Sequence, residues 1–248
     1  MSIVFAILFF SFLIFIHELG HFVAAKLSGV RVNEFALFMG PVIFKKQVGE
    51  TTYSLRCIPF GGFCAMEGED GDSEDSRAFG KAAWWKRLII LVAGAAMNFI
   101  AGMLLLFFIF LPNEQFVVPV IGQAEQGNTV VYEEGLHVGD RILEVNGEKV
   151  YVSSDFSMLL SLNPGDTYDI LVERQGQKVL LEDFKMETHL FTNEDGTQSE
   201  RYGINFETVP ATLGETISYS WNTGINIVRT VRLSLQMLVS GQAGLKDM

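Results

Sequence analysis

Two stretches of the chain have been cleared of charge. Residues 3–16 hold no ionisable side chain, and the apolar run resumes after residue 21. A helix over residues 2–26 would rise about 38 Å, enough to cross a hydrocarbon core of about 30 Å. The absence of a positively charged leader segment marks this stretch as a retained span rather than a secretory signal. Residues 88–111 are again free of charge and carry Ala93, Gly94, Ala95, Ala96, Ala101 and Gly102, with one amide, Asn98. Small side chains let helices approach closely in lipid, so this second span is expected to pack against the first. Asn98 could contact a substrate or bond to the neighbouring helix.

Between the two spans the pattern changes. Residues 32–63 alternate loosely and break at Gly40-Pro41. Residues 47–51 read as a turn and 52–58 as a strand ended by Pro59, Gly61 and Gly62. A β-hairpin directly after the first span is predicted. Backbone of this kind sits at membrane depth only when buried in protein or lining a wet cavity. Its edge, around residues 52–58, could pair with an extended peptide; a plain connecting hairpin is the other reading.

Beyond Pro112 the chain reads as a water-exposed module. Short strands over residues 116–206 are separated by turn signals at Gly122, Gly127-Asn128, Gly139-Asp140, Asn146-Gly147, Asn163-Pro164-Gly165-Asp166 and Gln175-Gly176, with a helix at 154–162 and a strand at 167–174. In residues 213–239, Ile217, Trp221, Ile225, Val228, Val231, Leu235 and Leu238 recur at three- and four-residue steps. Asn222, Asn226, Arg229, Arg232 and Gln236 take the other faces. Such a stripe suits a helix lying on a membrane surface or against protein more than one crossing lipid. The segments are therefore residues 1–26, 27–87, 88–111, 115–207 and 212–240.

Composition agrees with a membrane protein carrying a soluble module: 49% of residues are hydrophobic and 21 are phenylalanine. The net charge of −11 argues against nucleic-acid binding, which calls for a basic face. Nine of the 18 basic residues lie between Lys26 and Arg87, so the positive-inside rule puts that loop in the cytoplasm and both chain ends outside it. The acidic run from Glu67 to Asp75 lacks the distal glutamate of a calcium loop and reads as solvated. Cys57 and Cys64 read as small semi-buried residues rather than a disulfide framework.

The chemistry is concentrated in His17-Glu18-Leu19-Gly20-His21. Histidines four apart stand on one helix face and can hold one zinc ion, and Glu18 beside them can act as a base toward water. An ionisable cluster inside an otherwise charge-free span is expensive, which marks it as functional. His137 and His189 read as surface residues.

Two resemblances follow from these residues. The block Glu134-Gly-Leu-His-Val-Gly-Asp-Arg-Ile-Leu-Glu-Val-Asn-Gly147 resembles the PDZ signature, with Glu134 replacing the usual alanine; Tyr202, Gly203 and Ile204 would form the carboxylate-facing strand of a permuted PDZ domain. The whole chain resembles the site-2 protease family of intramembrane zinc metalloproteases, in its regulator-of-sigma-E branch. The match runs through His17–His21, Gly40-Pro41, Pro59-Phe-Gly-Gly62, Ala93-Gly94, Asn98, the PDZ-like block and the segment ending Gly244-Leu-Lys-Asp247. Ala95 and Gly80 stand where the family commonly has proline and asparagine.

The resemblance implies an α-helical membrane protein with a membrane-associated β-hairpin and an inserted extracytoplasmic PDZ (α+β) domain, multi-pass in a bacterial inner membrane. It implies Zn2+ on His17 and His21, with Glu18 catalytic. Thr52, Tyr53, Ser54, Leu55, Gly61, Gly62 and Asn98 would hold the substrate, a transmembrane segment of a single-pass protein such as a trimmed anti-sigma factor or signal-peptide remnant. The PDZ domain would take a peptide or carboxyl terminus. The family's third zinc ligand, an aspartate in a Leu-Asp-Gly motif on a later helix, is not among these 248 residues. The sequence therefore reads as an N-terminal portion, expected to be inactive as given; the rival reading is a membrane-tethered PDZ adaptor without chemistry.

Overall fold

The first charge-free stretch forms one uninterrupted helix, α1 (Ser2–Ser28), and the second forms α2 (Trp84–Phe110). The computed structural model describes residues 2–123, 135–162, 165–186, 189–192 and 197–240. The turn at Gly127-Asn128, the start of the PDZ-like block at Glu134, the Asn163-Pro164 pair and the terminal Gly244–Asp247 segment lie outside the described residues. Within each of the two apolar helices only 11% of the most apolar window is buried in protein. A soluble protein hides such surface, because contiguous apolar patches of this size associate in water. Two helices whose phenylalanines and leucines point outward are instead suited to lipid, and they are the only two of that length and hydropathy among the described residues.

The chain divides into two compact units, residues 1–104 and 105–248. In the first, α1 is followed by a long hairpin of β1 (Val32–Val48) and β2 (Thr51–Met66). Both strands are longer than the sequence predicts. Gly40-Pro41 does not end β1, and Pro59, Gly61 and Gly62 do not end β2. Instead the strands bend and change register, with Phe38, Gly40 and Gly61 at positive φ of 70°, 84° and 83°. Irregular positions of this kind re-aim a strand without ending its pairing.

The bending lets β1 and β2 pair twice. Residues 34–37 lie opposite both 62–65 and 52–55, while 44–47 lie opposite 52–55 from the other side. The backbone of Thr52, Tyr53, Ser54 and Leu55 is thus flanked on both edges, which corrects the expectation of an open edge there. The outer stretches are 62–66 and 42–48, neither with a further strand partner among the described residues. Ala25, Val30, Val32, Phe35, Cys64, Met66 and Ile90 form the core of this unit, with Phe15, Phe22 and Tyr53 against it.

At the far end of α1, Lys26 and Arg77 both reach Glu50 in the β1–β2 turn, Lys26 at 2.8 Å. Their hydrogen bonds pull its carboxyl down to about 2. The acidic loop is tied in the same way: Glu67 accepts from Asn33 and Ser73 at 2.7 and 2.6 Å, and Asp75 pairs with Arg31. Glu69, Asp70, Asp72 and Glu74 are exposed, as in a solvated loop. Cys57 and Cys64 are free thiols, the first exposed and the second buried.

The second unit is a mixed module. The strands are β3 (Gln115–Ile121), β4 (Arg141–Val145), β5 (Glu148–Lys149), β6 (Thr167–Arg174) and β7 (Gln177–Lys185), then β8 (His189–Thr192), β9 (Gln198–Arg201) and β10 (Phe206–Pro210). Six form one antiparallel sheet in the order β10-β3-β4-β6-β7, with β5 on β4; β8 and β9 pair separately. Helix α3 (Ser153–Leu162) buries Phe156, Leu159 and Leu160 against Ile142, Val145, Tyr168, Ile170 and Val172. The predicted helix and the strand at 167–174 are both present. His137 is exposed. Tyr202, Gly203 and Ile204 do not form a strand: they lie in the stretch that enters β10, with Gly203 at φ 66°. The strand itself begins at Phe206 and is an edge of the sheet.

Helix α4 (Leu213–Ser240) closes the described chain. Its sparse polar and small face packs on the module: Thr216, Ser220 and Arg229 are buried and Tyr219 stacks on Phe116 at 4.4 Å. Ile217, Trp221, Val228, Val231, Leu235 and Leu238 are exposed. The stripe read from the sequence is therefore on the outside.

Candidate metal centre

Three elements meet around the middle of α1. Its 3.6-residue repeat puts His17, Gly20 and His21 on the side facing α2 and swings Glu18 toward β2. The two helices approach so closely that a Cβ on Gly20 would stand 2.4 Å from the Ala93 carbonyl oxygen. On α2, a Cβ on Gly94 would lie 2.5 Å from His21 Nε2 and 2.7 Å from His17 Nε2. Both imidazoles therefore rest on the bare backbone of Gly94, in space that any other residue would fill.

The rings are held edge to face, with centroids 4.7 Å apart and planes at 79°. Their Nε2 atoms are 3.1 Å apart. His21 Nδ1 donates to the Ile90 carbonyl at 2.7 Å, which leaves Nε2 as the basic nitrogen. Asn98 reaches His17 Nδ1 through its amide nitrogen at 3.4 Å. Glu18, half-buried like the two histidines, runs past Gly62, whose Cβ position is 3.8 Å from Glu18 Cγ. Ser11, nearly two turns earlier on α1, donates to the Pro59 carbonyl at 2.7 Å and pins the bend of β2 to the helix.

These residues fit a zinc ion. With Zn–N distances of about 2.0–2.1 Å, two ligands of a tetrahedron stand about 3.3 Å apart. The observed 3.1 Å between the two Nε2 atoms is that edge to within a few tenths of an ångström. One ring already has its outer nitrogen bonded to a carbonyl, as metal-binding imidazoles require. Among the described residues no third His, Cys, Asp or Glu joins the pair.

The chain matches the profile of peptidase family M50 over residues 5–248. It belongs to that family. Among similar proteins is one from Clostridium perfringens, 36% identical over 99% of this chain and 71% of its own length. Another from Clostridium acetobutylicum is 36% identical over 99% of this chain and 70% of its own. A third, from Fusobacterium nucleatum, is 31% identical over the whole chain and 72% of its own length. All three carry the name "putative zinc metalloprotease". M50 is the site-2 protease family and is zinc-dependent.

The structure brings together His17, Glu18, His21, Gly62 and Asn98 from the residues singled out in the sequence. Gly61 stands one residue away from the cluster at the bend of β2. Thr52 to Leu55 lie inside the hairpin. The sequence reading missed Gly94 as the seat of both rings and the Ile90 carbonyl as a ring partner. A signal was present: Ile90, Gly94 and Asn98 are spaced four apart, the same helical step as His17 and His21.

Proposed function

We propose that the protein is a membrane-embedded zinc endopeptidase that cuts within the membrane segment of single-pass proteins, in regulated intramembrane proteolysis. The observation that carries this reading is the pair of Nε2 atoms 3.1 Å apart on a helix whose flanks are all but charge-free. His17 and His21 hold the metal, and an aspartate from beyond the described residues completes the site. Zinc, when bound, polarises the scissile carbonyl and makes water a stronger acid. Glu18 takes a proton from that water on its carboxylate and returns it to the leaving amine.

A helical substrate hides its carbonyls and must unwind before it can be cut. The outer edge at residues 62–66 passes beside Glu18 and has no further strand partner among the described residues, so it can hold an extended segment by strand addition. Gly61 and Gly62 permit the bend that leads into this edge, where a Cβ would strike Met39 or the Ala36 carbonyl oxygen, while Thr52 to Leu55 support it from within the sheet. On the module, the edge strand β10 and the Tyr202–Ile204 approach to it form a PDZ-like seat for a peptide or carboxyl terminus. By charge distribution the hairpin loop is cytoplasmic and the module extracytoplasmic in a bacterial inner membrane. Substrates that fit this arrangement are anti-sigma factors or signal-peptide remnants already trimmed outside.

The test is cleavage of a single-pass substrate by the protein as made in the cell, reconstituted in liposomes, with zinc measured on the same sample. Glu18→Gln is expected to retain zinc and to lose about 10²–10⁴-fold in rate. Undiminished cutting by Glu18→Gln would remove the assignment. A wild-type protein that binds peptide at the module yet never cuts would establish the adaptor reading instead.

A further inference from the structure

We infer that Asn98 is a positioning residue for the metal centre: its side-chain amide sets the orientation and tautomer of His17, in register with the carbonyl that does the same for His21. This rests on the zinc reading of the site and extends it to the helix behind the ligands.

His17 and His21 are one turn apart on α1; Ile90, Gly94 and Asn98 are successive turns on α2. The contacts run in opposite order, His21 to Ile90 and His17 to Asn98, with Gly94 beneath both rings. A single antiparallel crossing therefore supplies each imidazole with one partner on its outer nitrogen. His21 is served by a backbone carbonyl. One turn below, the His17 ring meets a side chain instead, the amide of Asn98.

The second observation is the amide's unspent oxygen. Asn98 Oδ1 is buried and has no hydrogen-bond partner among the described residues, while Nδ2 faces His17 Nδ1 at 3.4 Å. An unpaired buried acceptor costs about 1–3 kcal/mol. The two ends of an asparagine amide exchange by a half-turn about its last bond. With the oxygen toward His17, Nδ1–H donates to it and Nε2 presents its lone pair beside that of His21. With the nitrogen toward His17, the ring proton belongs on Nε2 and blocks the metal position. Zinc loading therefore selects the oxygen-inward amide.

The side chain at 98 is then read by whether it can accept a hydrogen bond. Asn98→Leu keeps the size and removes the acceptor; Asn98→Asp keeps the acceptor. In the full chain in detergent, zinc affinity by chelator competition is expected to fall about 10–100-fold for Asn98→Leu and to stay within about threefold of wild type for Asn98→Asp. Cobalt substituted for zinc should show an altered visible spectrum in Asn98→Leu alone. Equal zinc affinity and spectra in all three proteins would overturn the inference and leave Asn98 to substrate contact or helix packing. Nitrogen-15 histidine spectra of the metal-free protein provide the independent arm. There, Asn98→Leu and Asn98→Asp should each move the His17 Nδ1 signal, and the His21 Nε2 signal changes only through its contact with His17 Nε2. Unmoved His17 signals would refute the contact itself. Moved signals in a protein that takes up no zinc would instead count against the metal reading.

Discussion

At the residue scale the site is defined as much by an absent side chain as by those present. Gly94 lets two imidazoles lie on α2, and any β-carbon there would stand within 2.7 Å of both rings. The atoms it would strike are ring ends, which can move, so the fold should survive the change while the ligand pair does not. Alanine also favours helix over glycine by about 1 kcal/mol. Gly94→Ala is therefore expected to leave thermal stability equal or slightly raised and to lower zinc binding by at least about tenfold. Measuring metal content beside the melting curve separates the two effects. Unchanged zinc affinity in that variant would mean the rings have room the structure does not show. His17, Glu18 and His21 were legible from spacing and from the uncharged flanks, because a helix converts sequence intervals directly into a face. Gly94 was legible only as one small residue among several in its span, since nothing local says which of them another helix will press against.

At the scale of elements, two attachments carry the architecture. The first is α1 on the hairpin, where Ser11 bonds to Pro59 and Lys26 to Glu50 at opposite ends. The second is α4 on the module. Arg229, 7% exposed, pairs with the buried Asp155 at 3.0 Å, bonds to the Lys149 carbonyl and lies over the Tyr151 ring. The same Asp155 oxygen accepts from the Tyr151 and Val152 amides at the start of α3. Removing one member of a buried pair strands the other charge, so Asp155→Ala should destabilise the protein by about 3–5 kcal/mol. The neighbouring Arg232–Glu148 pair is exposed, and Arg232→Ala should cost less than about 1 kcal/mol. Urea unfolding of the full chain reads both, and similar losses for the two variants would contradict this account. The stripe of α4 was plain in its three- and four-residue steps. Which face it turns to the module was not, because Arg229 looked like any other polar position until Asp155 was placed opposite it.

At the scale of the molecule, the chain joins a lipid-suited pair of helices and a bent hairpin to an α+β module with an outward apolar helix. Nine of the 18 basic residues lie between Lys26 and Arg87, which sets the expected orientation. A reporter enzyme active only outside the cytoplasm, fused after residue 207, should be active; fused at residue 72, in the acidic loop, it should be silent. The reverse pattern would invert the topology and put the module in the cytoplasm. The sequence alone determined the two long apolar helices, the His17-Glu18-Leu-Gly-His21 motif, the hairpin, the helix and strand of the module, and the stripe of α4. These follow from short-range periodicity and from the cost of charge in lipid, both of which act on neighbouring residues. Tertiary structure decided the rest: that residues 52–55 are enclosed and 62–66 form the outer edge, that Tyr202–Ile204 lead into a strand instead of forming one, and that Ile90, Gly94 and Asn98 back the two histidines. Each of these depends on which distant segments meet, and a bend at Phe38, Gly40 or Gly61 redirects that choice without altering the local pattern.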